Sequence, residues 1–178
     1  MKTQISRRFL AALPFAFLTL AACDTTQTAG LSTGNFLQPS LKKDITLIAL
    51  RHADRDAGNE ELNADGRQRA KALPAALRDY PIDAIYAPGF KRNLDTGAPL
   101  ADARNMSVQN IPADSIAAQL AKEPNHSSVV WIGNKENLKK LWADTGAPGE
   151  PPLNYGEVFV VQFYKDKPAW VSQLHFGK

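Results

Sequence analysis

The chain of 178 residues has one cysteine, Cys23. No intramolecular disulfide can form, and a zinc site built on cysteine thiolates is excluded. The first 22 residues lack Asp and Glu but hold Lys2, Arg7 and Arg8. These three cations account for the entire net charge of +3, because the rest of the chain balances 18 basic against 18 acidic side chains. A charge-balanced domain offers no electrostatic case for nucleic-acid binding. No apolar run reaches the roughly 20 residues needed to cross a bilayer core. Internal repeats, a Walker loop, GxGxxG and GxSxG are all missing. What remains is an ordinary globular composition, 44% hydrophobic and 22% charged, which excludes wholesale disorder.

The amino-terminal segment reads as an address. Basic residues precede the largely apolar stretch from Phe9 to Ala22, which has the length of a signal-peptide h-region. The stretch ends in Leu20-Ala21-Ala22-Cys23, which resembles the lipobox of bacterial lipoproteins. That resemblance implies acylation of Cys23 as the mature amino terminus. Ser6-Arg7-Arg8-Phe9-Leu10 hints at a twin-arginine signal with imperfect spacing. Residues 23–43, rich in Thr, Gly, Ser and Gln, read as a flexible lipid-anchored tether. The expected organisation is a signal peptide over 1–22, the tether, and one domain over 44–178. Its expected place is the bacterial cell envelope, periplasmic or on the outer face of the cytoplasmic membrane.

Within 44–178, strands and helices alternate. Ile45 to Leu50 is a nearly continuous apolar run, the pattern of a strand buried on both faces. Asn63-Ala64-Asp65-Gly66 supplies N-cap chemistry for a helix carrying Ala70, Leu73, Leu77 and Tyr80, which Pro74 should kink or shorten. A strand over Ile82 to Ala87 and a helix over Phe90 to Ala103, interrupted by Gly97 and Pro99, come next. A weak strand near Val108, a helix over Ser115 to Lys122, a strand over Val129 to Ile132 and a helix over Glu136 to Trp142 follow. The chain closes with a hairpin of Val158 to Tyr164 and Ala169 to Phe176. This alternation predicts a three-layer αβα sandwich with a mostly parallel sheet and a carboxyl-terminal hairpin. Ligands of such sheets bind beyond the carboxyl ends of the strands, which directs attention to Arg51, His52 and Arg55, to Ala87 through Arg92, and to Gly133 through Glu136.

Arg51 and His52 end an apolar strand, and with Arg55 and Arg92 they can place three guanidinium groups around one imidazole. Guanidinium forks match phosphate oxygens, and a neutral imidazole can attack phosphorus. The set favours phosphoryl transfer over acyl transfer. On the residues alone the alternative stays open that His52 is a hydrogen-bonded loop residue and the arginines are solvated.

Leu47-Ile48-Ala49-Leu50-Arg51-His52-Ala53 resembles the R-H-G/A motif of the histidine phosphatase superfamily, the phosphoglycerate mutase-like proteins. Leu62-Asn63-Ala64-Asp65-Gly66-Arg67-Gln68-Arg69-Ala70 resembles its L-T-x-x-G-x-x-x-A segment. Ile85-Tyr86-Ala87-Pro88 through Arg92, with Thr96 and Pro99-Leu100-Ala101, resembles its I-Y-S-S-x-x-x-R-x-x-x-T-A-x-P-L-A segment. The resemblance implies a phosphoglycerate mutase-like fold, His52 as the phosphorylated nucleophile, and Arg51 and Arg92, joined by Arg55, as phosphate ligands. It implies no cofactor and no metal. It also marks departures. Asn134 stands after Val129-Val130-Trp131-Ile132-Gly133, where the family has its second catalytic histidine, and the general acid is not evident. Asp114 is the candidate in the expected segment, with Asp54 and Glu136 as others, while Lys135 is a candidate source of charge. His126 and His175 are not substitutes, the latter reading as a partly buried polar residue of the last strand. Two functions follow: a phosphomonoester or phosphoramidate hydrolase of reduced or specialised activity, or an inactive module binding a phosphorylated ligand or partner protein. The partners implied are a phosphorylated small molecule or phosphoprotein, and the membrane through the lipid. A phosphomutase is disfavoured, since nothing resembles the segments with which mutases enclose substrate.

Overall fold

The computed structural model describes residues 44–122, 127–164 and 167–178. The signal peptide, Cys23, the tether over 23–43 and His126 lie outside the described residues. Among the described residues, no helix is long and apolar enough to cross a membrane.

Six strands form one sheet. They are β1 (Ile45–Arg51), β2 (Ala84–Ala87), β3 (Val108–Asn110), β4 (Ser128–Gly133), β5 (Glu157–Tyr164) and β6 (Lys167–His175). Their order is β3-β2-β4-β1-β5-β6. The first four pair in parallel, β5 runs antiparallel to β1, and β6 antiparallel to β5. Strands β2 and β4 are buried at every position, which is why they read as unbroken apolar runs and not as alternation.

Four helices cover both faces: α1 (Ala64–Ala76), α2 (Lys91–Ala103), α3 (Ile116–Lys122) and α4 (Lys135–Thr145). Leu73 and Leu77 from α1 and its end, with Leu100 and Ala101 of α2, pack on Ile48, Leu50, Val130 and Ile132. On the opposite face, Leu120 of α3 and Leu138, Leu141 and Trp142 of α4 pack on Leu47, Ala49, Val129 and Trp131. Alternate residues of β1 and β4 thus feed two cores, completing the αβα sandwich. The chain leaves β1 toward one face and the neighbouring β4 toward the other. This divergence opens a crevice at the carboxyl ends of that pair, where ligands of α/β sheets bind.

Local sequence explains most boundaries and corrects several expectations. Asn63 caps α1, its side chain accepting a hydrogen bond of 2.9 Å from the Gly66 N–H. Pro74 lies in the final turn, and α1 stops at Ala76 and does not extend to Tyr80. Helix α2, expected to be interrupted at Gly97 and Pro99, is continuous. Gly97 is there for close packing: a Cβ would stand 2.6 Å from Ile132 Cδ1 and 2.9 Å from Val108 Cγ2. Burial of Thr96, Leu100 and Ala101 on either side holds the helix through the missing Pro99 donor. Helix α4 is longer than its amphipathic core, ending at Gly146 in the left-handed conformation (φ 65°). His175, expected to be partly buried, is exposed beside Gln173.

Candidate active site

The crevice is assembled from strand ends cross-linked to α2. The His52 N–H donates to the Gly133 carbonyl at 2.9 Å, joining β1 to β4. The Ala53 N–H donates to Thr96 Oγ1 at 2.9 Å, and that hydroxyl donates to the Arg92 carbonyl at 2.7 Å, tying the end of β1 to α2. Asn93 Nδ2 donates to the Ile132 carbonyl at 2.8 Å, tying α2 to β4. Asn93 and Thr96 are both fully buried, so these bonds are shielded from water. They fix the position of Arg92 relative to His52.

His52 is 2% exposed. Its Nδ1 lies 2.8 Å from the Ala53 carbonyl oxygen, which can only accept, so Nδ1 carries the proton and Nε2 keeps its lone pair. Burial disfavours the imidazolium most strongly. The cations of Arg51, Arg92 and Arg55 push the same way, against the Ala53 hydrogen bond, and the pKa falls from 6.5 to about 4. At neutral pH the ring is uncharged amid three cations.

Arg51 donates from Nη1 to the Leu153 carbonyl at 3.1 Å and from Nη2 to Tyr155 Oη at 3.0 Å. Its guanidinium carbon lies 3.9 Å from the centre of the Tyr155 ring. That ring is also 5.7 Å, centroid to centroid, from the imidazole of His52. Arg92 is buried, stacks on Phe90 with 4.6 Å from guanidinium carbon to ring centre, and pairs with the exposed carboxylate of Glu60. Arg55 binds the carbonyl of Asn59 at 2.8 Å. Each of the three arginines keeps a buried Nε–H without a partner. These three cationic donors around one imidazole are suited to an anion's oxygens.

Asn134 begins α4. Arg51 pairs with Gly133 in the β1–β4 register, so Asn134 follows on the rung beside His52. Its backbone N–H donates to Asn137 Oδ1 at 2.8 Å, while its own Oδ1 is buried without a partner. Arg51, His52, Arg55, Arg92 and Asn134 therefore gather at one end of the sheet. The carboxylates singled out in the sequence have other partners or face solvent. Asp54 is committed to Arg69 at 2.6 Å, and Arg69 also holds the Phe176 carbonyl at 3.0 Å, latching the first loop, α1 and the carboxyl terminus. Asp114 is exposed and accepts only from Ser115 Oγ, at 3.4 Å. Glu136 and Lys135 are exposed, although the charge of Glu136 acts on Arg51. Among the described residues, no cluster of three or more His, Cys, Asp or Glu could hold a metal ion.

Sequence reasoning missed Tyr155 and Glu60, and gave Phe90, within the segment from Ala87 to Arg92, no role of its own. Tyr155 could have been found: β5 is antiparallel to β1, so the residues entering it must lie at the carboxyl end of β1. Glu60 gave no signal, because its loop position has no periodicity to read.

A three-layer α/β protein whose cationic crevice surrounds one buried, neutral histidine defines the class. Residues 47–113 match the family model of the histidine phosphatase superfamily (branch 1). No curated protein matches the chain by sequence. Among solved structures, the protein histidine phosphatase SixA complexed with tungstate is 18% identical and superposes with a TM-score of 0.61, over 74% of this chain and 97% of that one. The alpha-ribazole phosphatase from Shigella flexneri is 13% identical, with a TM-score of 0.60 over 75% and 96%. Residues 47–113 thus resemble the histidine phosphatase superfamily in sequence, and the domain shares the fold of these two solved phosphatases.

Proposed function

We propose that the protein is a phosphomonoester or phosphoramidate hydrolase working through a phosphohistidine on His52. The observation that carries this reading is the neutral Nε2 of a buried histidine facing no competing proton, flanked by three guanidinium groups with unpartnered Nε–H donors. Phosphoryl transfer asks little covalent work of a protein beyond a nucleophile, and much positioning and charge neutralisation. Arg51, Arg92 and Arg55 would hold the phosphoryl oxygens while Nε2 attacks in line. Water then hydrolyses the phosphohistidine. Asn134, on the rung beside His52, would donate its amide N–H to a phosphoryl oxygen where the superfamily places a second histidine. An amide carries no positive charge, so the expected activity is reduced or specialised. The test is turnover of an aryl phosphate by the full-length protein, with acid-labile labelling of His52 by radioactive phosphate. Phosphate binding with neither turnover nor labelling supports the second reading, an inactive module for a phosphorylated small molecule or phosphoprotein, which the missing charge at Asn134 favours.

The low proton affinity of His52 gives a separate expectation. In a histidine-resolved NMR titration, His52 stays neutral until the pH approaches about 4, not 6.5. The unfolded chain binds that proton first, so this residue's contribution to stability is constant above pH 6.5 and declines as the pH falls from 6.5 through 4. A midpoint for His52 near 6.5 would contradict a buried, arginine-flanked ring.

We further propose that the domain is tethered to the bacterial envelope through lipid on Cys23, on the strength of Leu20-Ala21-Ala22-Cys23 after the apolar run. Radiolabelled palmitate is expected to enter the wild-type chain and not Cys23→Ala. Equal labelling of both would remove Cys23 from that role.

A further inference from the structure

The carboxylate that reaches the crevice, Glu60, is paired with Arg92, which leaves open what protonates a departing alkoxide. We infer that Tyr155 is the proton donor to the leaving group, an inference that rests on the phosphatase reading above. Three observations carry it. The phenol lies in the site, its ring 5.7 Å from the His52 ring, delivered there by the segment entering β5. Its oxygen accepts a hydrogen bond of 3.0 Å from Arg51 Nη2, and no acceptor for its own proton occurs among the described residues. The carboxylates are otherwise disposed: Asp54 is bound to Arg69, Glu60 to Arg92, and Asp114 and Glu136 stand exposed.

A phenol is protonated at neutral pH and so can act as an acid without a burial-raised carboxyl group. The guanidinium of Arg51 lies against both the ring and the oxygen, where negative charge would develop as the proton leaves. In the first step His52 Nε2 forms its bond to phosphorus as the phosphorus–oxygen bond of the ester breaks. The departing oxygen takes the phenolic proton, giving an alcohol, a phosphohistidine and a phenolate held by Arg51. In the second step water attacks phosphorus, the phenolate takes its proton, and the electron pair of the nitrogen–phosphorus bond returns to the imidazole. Inorganic phosphate leaves and both side chains are restored.

The role predicts a dependence on the leaving group that a merely positioning residue would not show. Tyr155→Phe keeps the ring against Arg51 and His52 and removes only the hydroxyl. In the full-length protein its kcat/KM on glycerol phosphate, which reports the steps through phosphohistidine formation and whose alkoxide is a poor leaving group, should fall by about 10²-fold or more. On p-nitrophenyl phosphate, whose leaving group needs no acid, the loss in kcat/KM should stay within about threefold, and retained formation of the phosphohistidine there also certifies folding. Equal losses on both substrates would mean that the hydroxyl only positions Arg51, and no loss on either would mean that it does nothing; both overturn the inference. If the wild-type protein neither turns over p-nitrophenyl phosphate nor labels His52, the phosphatase reading itself fails, and this inference with it.

Discussion

Replacement of His52 by alanine is expected to remove phosphoester turnover by at least about 10³-fold, together with all acid-labile phosphate labelling. The loss should be this large because no other group can take over. Among the described residues the only other histidine is His175, which is exposed on the last strand. Arg51, Arg55 and Arg92 carry no lone pair to offer phosphorus. The arginines remain, so inorganic phosphate should still bind, and removing the buried ring should relieve none of their unpartnered donors. Folding is checked by thermal unfolding, since the variant also gives up the hydrogen bond from Nδ1 to the Ala53 carbonyl, worth about 1 kcal/mol. Activity within tenfold of wild type, in a folded variant, would show that His52 is not the nucleophile.

The legibility of this molecule divides by physical cause. The strands could be read because burial on both faces demands continuous apolar runs, and β1, β2 and β4 have them. From strand–helix alternation came the layers, and from the strand ends came Arg51, His52, Arg55 and Asn134. The continuity of α2 could not be read, because Gly97 and Pro99 are breakers by local propensity. Only the close approach of Ile132 and Val108 turns the glycine into a packing requirement. Tyr155 and Glu60 stayed hidden for a different reason. They reach the crevice through tertiary pairing with Arg51 and Arg92, at sequence separations of 104 and 32 residues. Asp54 is the converse case. It is two residues from His52 and looked available for proton transfer, but the bond to Arg69 makes it part of a structural latch.

Asn134→His is expected to raise kcat on p-nitrophenyl phosphate by about 10-fold to 10²-fold, the scale on which one preorganised donor acts. The substitution should leave stability within about 0.5 kcal/mol. Asn134 is the N-cap of α4, and replacing a capping asparagine ordinarily costs more. Here Asn134 and Asn137 face each other as a capping box, but only the half from the Asn134 backbone N–H to Asn137 Oδ1 is well formed, and no hydrogen bond of good geometry reaches Asn134 Oδ1. A histidine keeps that backbone donor and lifts an unsatisfied acceptor out of the crevice. Its imidazolium would add positive charge on the rung beside His52, where a phosphoryl oxygen gains negative charge in the transition state. Because the three arginines oppose another cation in the empty site, the new histidine should gain its proton as phosphate binds. That uptake strengthens the bound ground state as well, so the rise in kcat should come with a lower KM. An unchanged kcat in a stable variant would mean that residue 134 does not face the phosphoryl group. A gain from an inactive wild type would mean that the crevice had kept its phosphate ligands while losing only this charge.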